Sequence, residues 1–350
     1  MKVLFIGGLP WHRPSSTNLN RYYAMKNIVS SIDYVNTKEK DCMLFINRVI
    51  YKLFLLGLPV KQREQWNENE KIRQLVSQNV YDVVWIDNGK SISADTLKFI
   101  KTKLPQTVIV SFSPDNMALR HNQSQQYLDC VSLYDYHVTT KSFIIDDLKK
   151  LGARNVILVN KTYSEKFHYP REVTPDDVER LGGDVGFIGA WEKERCDSVC
   201  YLADHGIKVR VWGKGEWNKY KDYSPNLTIE GEGLWNEDYS KSFRAFKISL
   251  CFLRKINGDQ QTARTMEIPA SGGFMLAERT QEHMSLFEEG KEAEFFSSDA
   301  ELLQKCEYYL AHADERDAIA KAGRKRCETS NYSNEGMIRS VLEMVTKTKI

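Results

Sequence analysis

Between Asp259 and Leu276 the chain reads Asp-Gln-Gln-Thr-Ala-Arg-Thr-Met-Glu-Ile-Pro-Ala-Ser-Gly-Gly-Phe-Met-Leu, placing two acids, one arginine and two glycines around one short helix. Seven residues separate Asp259 from Glu267, so a loop and one or two helical turns can aim both carboxylates at one ligand. Carboxylates accept hydrogen bonds from sugar hydroxyls, and an arginine between them, Arg264, counters phosphate charge. With 47 acidic residues among 350, roughly six acid pairs at this spacing arise by chance, so context must decide.

The context is a helix between two strands. Phe246 to Leu253 is an apolar run of strand length, and Phe274 to Ala277 is another. Gly272 and Gly273 end the helix, since glycine accepts a left-handed backbone without steric cost. The same alternation runs through the chain. Strand candidates are Lys2 to Ile6, Tyr81 to Asp87, Thr107 to Phe112, Tyr136 to Thr139 and Val156 to Val159, then Asp184 to Ile188, Lys208 to Trp212, Lys247 to Phe252 and Phe274 to Leu276. Helical stretches include Glu68 to Ser77, Ser142 to Leu151, Asp299 to Ala311 and Glu315 to Glu328. This is the βαβ rhythm of parallel sheets, so the fold class is α/β. Tyr169 to Gly183, with two prolines, several acids and a Gly-Gly pair, reads as the linker between two sheets.

Residues just after strands are the ones to inspect, because open α/β sheets bind ligands at their carboxyl edge. Gly7, Gly8, Asp115, Gly189, Gly213 and the Asp259 loop stand there. Each glycine reads either as a plain turn or as a place where phosphate or sugar approaches the backbone, with helix amino termini adding partial positive charge. Ser15-Ser16-Thr17-Asn18 reads first as a helix cap. Cys196, Cys200 and His205 are the nearest thing to a metal cluster, but they lack a fourth ligand and read as core packing.

From Asp184 to about Asn331 the chain resembles the CgeB-like group-1 glycosyltransferases, relatives of retaining enzymes with an E-x7-E motif. The resemblance rests on Val185 to Ala190 (Val-Gly-Phe-Ile-Gly-Ala), Val209 to Gly213 (Val-Arg-Val-Trp-Gly), Arg264 to Leu276, Leu286 to Phe296 and Tyr308 to Gly323. One departure is Asp259, which stands where the related motif usually has Glu and has the shorter reach. The resemblance implies the GT-B fold, two Rossmann-like domains facing each other across a cleft. Residues 1–170 would form the acceptor-side domain and 184–331 the nucleotide-sugar domain, with 332–350 a helix crossing back to the first.

It also implies roles. Glu267 is expected to bind the nucleotide's ribose hydroxyls, and Asp259 or the backbone after it the transferred sugar. Arg264 would meet phosphate, and Lys193 and Arg195 match a basic phosphate clamp, although plain surface charge explains those two as well. Leu234 would border the base, and Gly7, Gly8, Gly189, Gly213 and Gly272 would let the donor approach. On the acceptor side Asp115 and His121 are the catalytic candidates beside His12, Arg13 and Arg120, while His168 reads as structural. The donor is a substrate, UDP-, GDP- or dTDP-linked, and no cofactor or metal is expected. Transfer would retain configuration and go to a glycan, lipid-linked or other hydroxyl acceptor. Two alternatives stay open: a nucleotide-sugar epimerase on the same fold, or an inactive carbohydrate-binding or surface-assembly protein.

Composition fits a large globular enzyme, with 42% hydrophobic and 27% charged residues. A formal net charge of +2, without basic runs interleaved with aromatics, gives no reason to expect nucleic acid. Seven cysteines, an odd number with no C-x-x-C pair, read as reduced thiols of a cytoplasmic protein. Lys2 to Ile6 is too short for a signal-peptide core and reads as a buried strand. Met43 to Leu58 is apolar but broken by Asn47, Arg48 and Lys52, short of the ~20 residues a membrane span needs. It reads as an amphipathic helix, either a core helix with a solvated basic side or one resting on anionic lipid, with Lys61 and Arg63 close behind.

Overall fold

The computed structural model describes residues 1–13, 16–38 and 44–350; Ser15, Cys42 and Met43 lie outside the described residues. The chain forms two compact units, residues 1–160 with 334–350, and residues 161–333.

The first unit is built on six parallel strands: β1 (Lys2–Gly7), β2 (Ser31–Asn36), β3 (Val83–Asp87), β4 (Val108–Ser113), β5 (Tyr136–Thr139) and β6 (Val156–Leu158). Their order across the sheet is β2-β1-β3-β4-β5-β6. The apolar runs of β1 and β3 are buried throughout because a parallel sheet is covered on both faces. β2 escapes a reading by apolar run, because Ser-Ile-Asp-Tyr-Val-Asn is an edge strand with only Val35 fully buried. One face packs on the helix Thr17–Ile28 and on the last helix, Asn334–Thr346. Met337, Ile338, Val341, Leu342 and Val345 of that last helix join Leu19, Tyr22 and Met25 over Val3 and Phe5.

The second unit repeats the plan with β7 (Gly183–Ile188), β8 (Val209–Trp212), β9 (Leu227–Ile229), β10 (Phe246–Cys251), β11 (Met275–Glu278) and β12 (Glu294–Phe296). All pairings are parallel and the order is β12-β11-β10-β7-β8-β9. β9 and β12, at the two edges, have three residues each, too short to show a period.

Residues 161–170, placed with the first domain on sequence, pack in the second unit. Tyr163 bridges to Ser333 and is buried in the cluster that contains Met266 and Ile268. The Tyr169 to Gly183 stretch, read as a linker, contains the helix Pro175–Leu181. Thr174 starts it with a capping box: its hydroxyl accepts from Asp177 N (3.2 Å), while its own N–H donates to Asp177 Oδ2 (3.2 Å). Proline suits the first position, where the missing N–H costs no helical bond.

Candidate functional site

The helix Ala263–Ala270 carries the acid and the arginine singled out above. Its start is fixed by Thr262 N donating to Thr265 Oγ1 (3.0 Å), an oxygen that lies 2.8 Å from His283 Nε2. The other ring nitrogen, Nδ1, sits 2.6 Å from the Glu278 carbonyl, so His283 donates there and receives the Thr265 hydroxyl proton at Nε2. Gly272 ends the helix with φ +82°. At Gly273 a Cβ would stand 2.5 Å from the Phe243 carbonyl oxygen, which only glycine avoids.

Glu267 is buried, and one of its carboxylate oxygens is held by a short hydrogen bond while the other faces a histidine. Tyr239 donates its hydroxyl to Oε2 at 2.5 Å, and His168 Nε2 lies 3.7 Å from Oε1. His168 Nδ1 accepts from Ser164 N (3.0 Å), which puts the ring proton on Nε2, facing the carboxylate. Burial, with the carboxylate and tyrosinate charges opposed, keeps the Tyr239 phenol protonated and donating. A carboxylate offers about four acceptor positions, so this one is oriented yet keeps capacity for further donors. His168, read as structural on sequence, is thus a neighbour of the central acid.

Arg264 lies one turn before Glu267, its guanidinium 6.0 Å over the Phe187 ring. Among the described residues its Nε is buried without a hydrogen-bond partner, as are the indole nitrogens of Trp212, the last residue of β8, and Trp191, just beyond β7. Buried donors are rarely left unpaired, and all three follow or end strands at the carboxyl side of this sheet. Asp259 is buried in the loop that precedes the helix, after Gly258 at φ +64°. Leu234 is half-buried and packs with Trp212 and Tyr239 against the same apolar cluster as Met266.

The remaining candidates of this unit have visible packing duties. A Cβ on Gly213 would stand 1.9 Å from the Gly189 carbonyl oxygen, which also accepts from Trp217 Nε1 at 3.0 Å. Gly213 is therefore glycine because the loops after β7 and β8 touch. At Gly189 a Cβ would meet the Phe187 ring at 2.5 Å. Arg195 is buried; Nε and Nη2 donate to the Leu253 carbonyl (3.1 and 2.8 Å) and Nη1 to Ala190 (3.0 Å), tying the ends of β10 and β7 together. Lys193 is exposed and paired with Asp197 at 2.6 Å. Cys196 and Cys200 are buried with sulfurs 4.0 Å apart, and His205 Nδ1 is 2.7 Å from the Tyr201 carbonyl. Among the described residues no group of three or more His, Cys, Asp or Glu is placed to hold a metal ion.

In the first unit the post-strand residues gather around a pair missed on sequence. Asp87, the last residue of β3, is buried and receives Arg21 Nε on Oδ2 (2.8 Å) and Nη2 on Oδ1 (3.1 Å). A Cβ on Gly7 would reach the Asp87 Cβ at 3.0 Å, and one on Gly8 the Lys38 Cβ at 3.2 Å. Lys90, three residues on, is pulled below the usual lysine range by burial, with the Asp115 charge opposing. Asp115 is half-buried after β4, its N–H on Ser113 Oγ at 3.2 Å. His121 is exposed, and its carbonyl accepts from the Tyr51 hydroxyl at 2.7 Å. The signal for Asp87 and Lys90 was the sequence Asp-Asn-Gly-Lys closing an apolar strand, with Asn88 in the left-handed region at φ +68°.

Three histidines, His137, His168 and His283, are buried, and burial lowers each below the ordinary 6.5. They are neutral in the fold, while in the unfolded chain they take up protons near 6.5. The stability they contribute is therefore complete above 6.5 and lost as the pH falls from there toward their folded values. Stability against thermal unfolding is expected to fall in that window by up to about 1.4 kcal/mol per pH unit for each histidine. A melting temperature that stays flat on acidification until the carboxylates titrate would contradict this.

Residues 195–343 match the profile of a family described as glycosyl transferase-like. No curated protein matches the chain in sequence. Solved structures match it in fold. HepE of Anabaena, crystallised with UDP-glucose, superposes with a TM-score of 0.61 at 12% identity, covering 99% of this chain and 100% of that one. Sucrose-phosphate synthase of Thermosynechococcus elongatus gives 0.64 at 10% identity, covering 99% and 98%. A glycosyltransferase of Rickettsia africae ESF-5 gives 0.59 at 13% identity, again covering 99% and 98%. At such identities the likeness shows the fold: two Rossmann-like domains of the GT-B class. The profile supports the broad glycosyl transferase-like grouping rather than the narrower CgeB-like one.

Proposed function

We propose that this protein is a glycosyltransferase that holds a nucleotide-sugar donor against the helix Ala263–Ala270 and passes the sugar to a hydroxyl acceptor. The observation that carries this reading is the Glu267 carboxylate, buried, oriented by Tyr239 and flanked by His168, one helical turn from an Arg264 whose Nε has no hydrogen-bond partner among the described residues. An oriented carboxylate suits a vicinal diol such as ribose. The guanidinium and the helix amino terminus suit a diphosphate. HepE, similar in fold over its whole length, is known bound to UDP-glucose, which favours a uridine donor.

In the reaction the bond between the sugar C1 and the diphosphate oxygen breaks, and a bond from C1 to the acceptor oxygen forms. The acceptor's proton passes to the departing phosphate. Arg264 and the helix dipole meet the charge that develops on the leaving diphosphate, the work a bound metal does elsewhere. With the acceptor entering on the face the diphosphate leaves, configuration is retained. Asp259, or the backbone beside it, orients the transferred sugar, and Asp115 and His121 belong to the acceptor side. The six cysteines among the described residues are all free and buried, which suits a reducing compartment such as the cytoplasm.

The test is a thermal-shift comparison of UDP, GDP, dTDP and CMP. UDP is expected to stabilise by about 2.7 kcal/mol at a hundred times its Kd. No shift with any of them would overturn the reading. The anomeric coupling constant of the product decides the stereochemistry, and an inverted product would remove the retaining step.

A further inference from the structure

We propose that the helix Phe45–Leu55 and the turn after it form a docking face for an anionic lipid surface, a reading independent of the donor site. The inner side of this helix is fastened at three points. Asn47 Nδ2 donates to the Arg63 carbonyl and Arg63 N returns a bond to Asn47 Oδ1, both at 2.8 Å. The Tyr51 hydroxyl donates to the His121 carbonyl at 2.7 Å. Arg120 donates through Nε to the Phe54 carbonyl at 2.5 Å, with its guanidinium 4.0 Å over the Phe54 ring. Asn47, Tyr51 and Phe54 therefore define the face turned to the protein, at helical spacing.

The opposite face is apolar and uncovered. Phe45 is 79% exposed and Leu56 80%, with Val49, Leu55 and Leu58 also exposed. Isolated exposed leucines are ordinary, but a run along one helix face and its following turn is not. Interleaved with them are Arg48 and Lys52, both exposed and without an ion pair among the described residues. From Leu44 to Arg63 the chain has no Asp or Glu, although the whole chain is nearly neutral at +2. Lys61 is held by Asp129 at 2.6 Å, and Arg63 is exposed.

That pattern selects the occupant. A protein partner covering this face would bury Lys52 in the middle of an apolar contact, where lysine is depleted, and there is no acid on this stretch to pair it. At a lipid surface the same arrangement is favourable: the apolar side chains enter the acyl boundary while the arginine and lysine stems extend to the phosphates. The helix has 11 residues, and no helix among the described residues is long and apolar enough to cross a membrane, so the contact is peripheral.

The test is co-sedimentation of the full chain with phosphatidylcholine vesicles, with and without phosphatidylglycerol. Binding is expected only with the anionic lipid, and it should weaken as salt rises. Arg48→Gln with Lys52→Gln should reduce partitioning by about tenfold or more. Phe45→Ser with Leu56→Ser should abolish it without lowering the melting temperature, because both side chains are exposed. Equal binding to both vesicles, or to neither, overturns the proposal. So does concentration-dependent dimerisation that the serine pair disperses, since the face would then serve a second copy of this chain.

Discussion

Replacing Glu267 by alanine is expected to weaken donor binding about a hundredfold while also lowering the stability of the second unit. Two ribose hydroxyls bonded to one carboxylate are worth about 1.5 kcal/mol or more each, and about 3 kcal/mol is a hundredfold in Kd. The stability effect has a separate origin. Alanine strands the Tyr239 hydroxyl, 2.5 Å from the carboxylate, in a buried site. A stranded donor costs about 1–3 kcal/mol. Glu267→Gln separates the two effects, because the amide oxygen still accepts from Tyr239 and the volume is kept. Calorimetry with UDP should show the glutamine variant nearly as stable as the parent and weaker by about tenfold or more, the loss of one charge-assisted bond. Unchanged affinity in both variants would remove the ribose assignment and leave the fold untouched.

What the sequence made legible follows from what is local. The helix around Glu267 was readable because its signals lie close together in the chain, between Phe246 and Ala277: an acid in the entry loop, helical spacing, a Gly-Gly exit and an apolar strand on either side. Its partners were not, because Tyr239 reaches it from another helix, and His168 from a stretch assigned to the other domain. Long apolar strands such as β3 and β10 announced themselves, whereas β2, β9 and β12 are edge strands, polar or three residues long. The glycines illustrate the same limit. Gly213 stands after a strand, where a ligand-contact role and a packing role predict the same residue, and only the 1.9 Å approach of a Cβ to the Gly189 oxygen identifies the packing role. Arg195 was picked out as a phosphate clamp by its position, but whether a guanidinium is spare depends on carbonyls brought by distant strands. Here Leu253 and Ala190 take three of its donors.

Arg21→Met should destabilise the first unit by about 3–5 kcal/mol, the penalty for leaving a buried charge unpaired. Arg21 and Asp87 have side chains 6% and 0% exposed, joined through two bonds in the fork geometry of guanidinium and carboxylate. Arg21 also lies 4.6 Å over the Phe112 ring, a contact that methionine largely preserves, so lost packing is a minor part of the effect. Burial already pushes Asp87 toward protonation against the opposing Arg21 charge, with Asp115 adding to it, and without the guanidinium no charge at position 21 would offset either. The decisive comparison is a cycle with Asp87→Leu. If the penalty belongs to the uncompensated charge, the double variant should recover most of the stability lost in Arg21→Met, since removing both charges leaves nothing to solvate. Denaturant unfolding followed by the resolved 19F signal of Trp85 in fluorotryptophan-labelled protein would report this unit, since Trp85 is buried in the same strand as Asp87 and stacked on Phe112. Additive losses in the double variant would mean that the two side chains are needed for packing, and the pair would lose its electrostatic role.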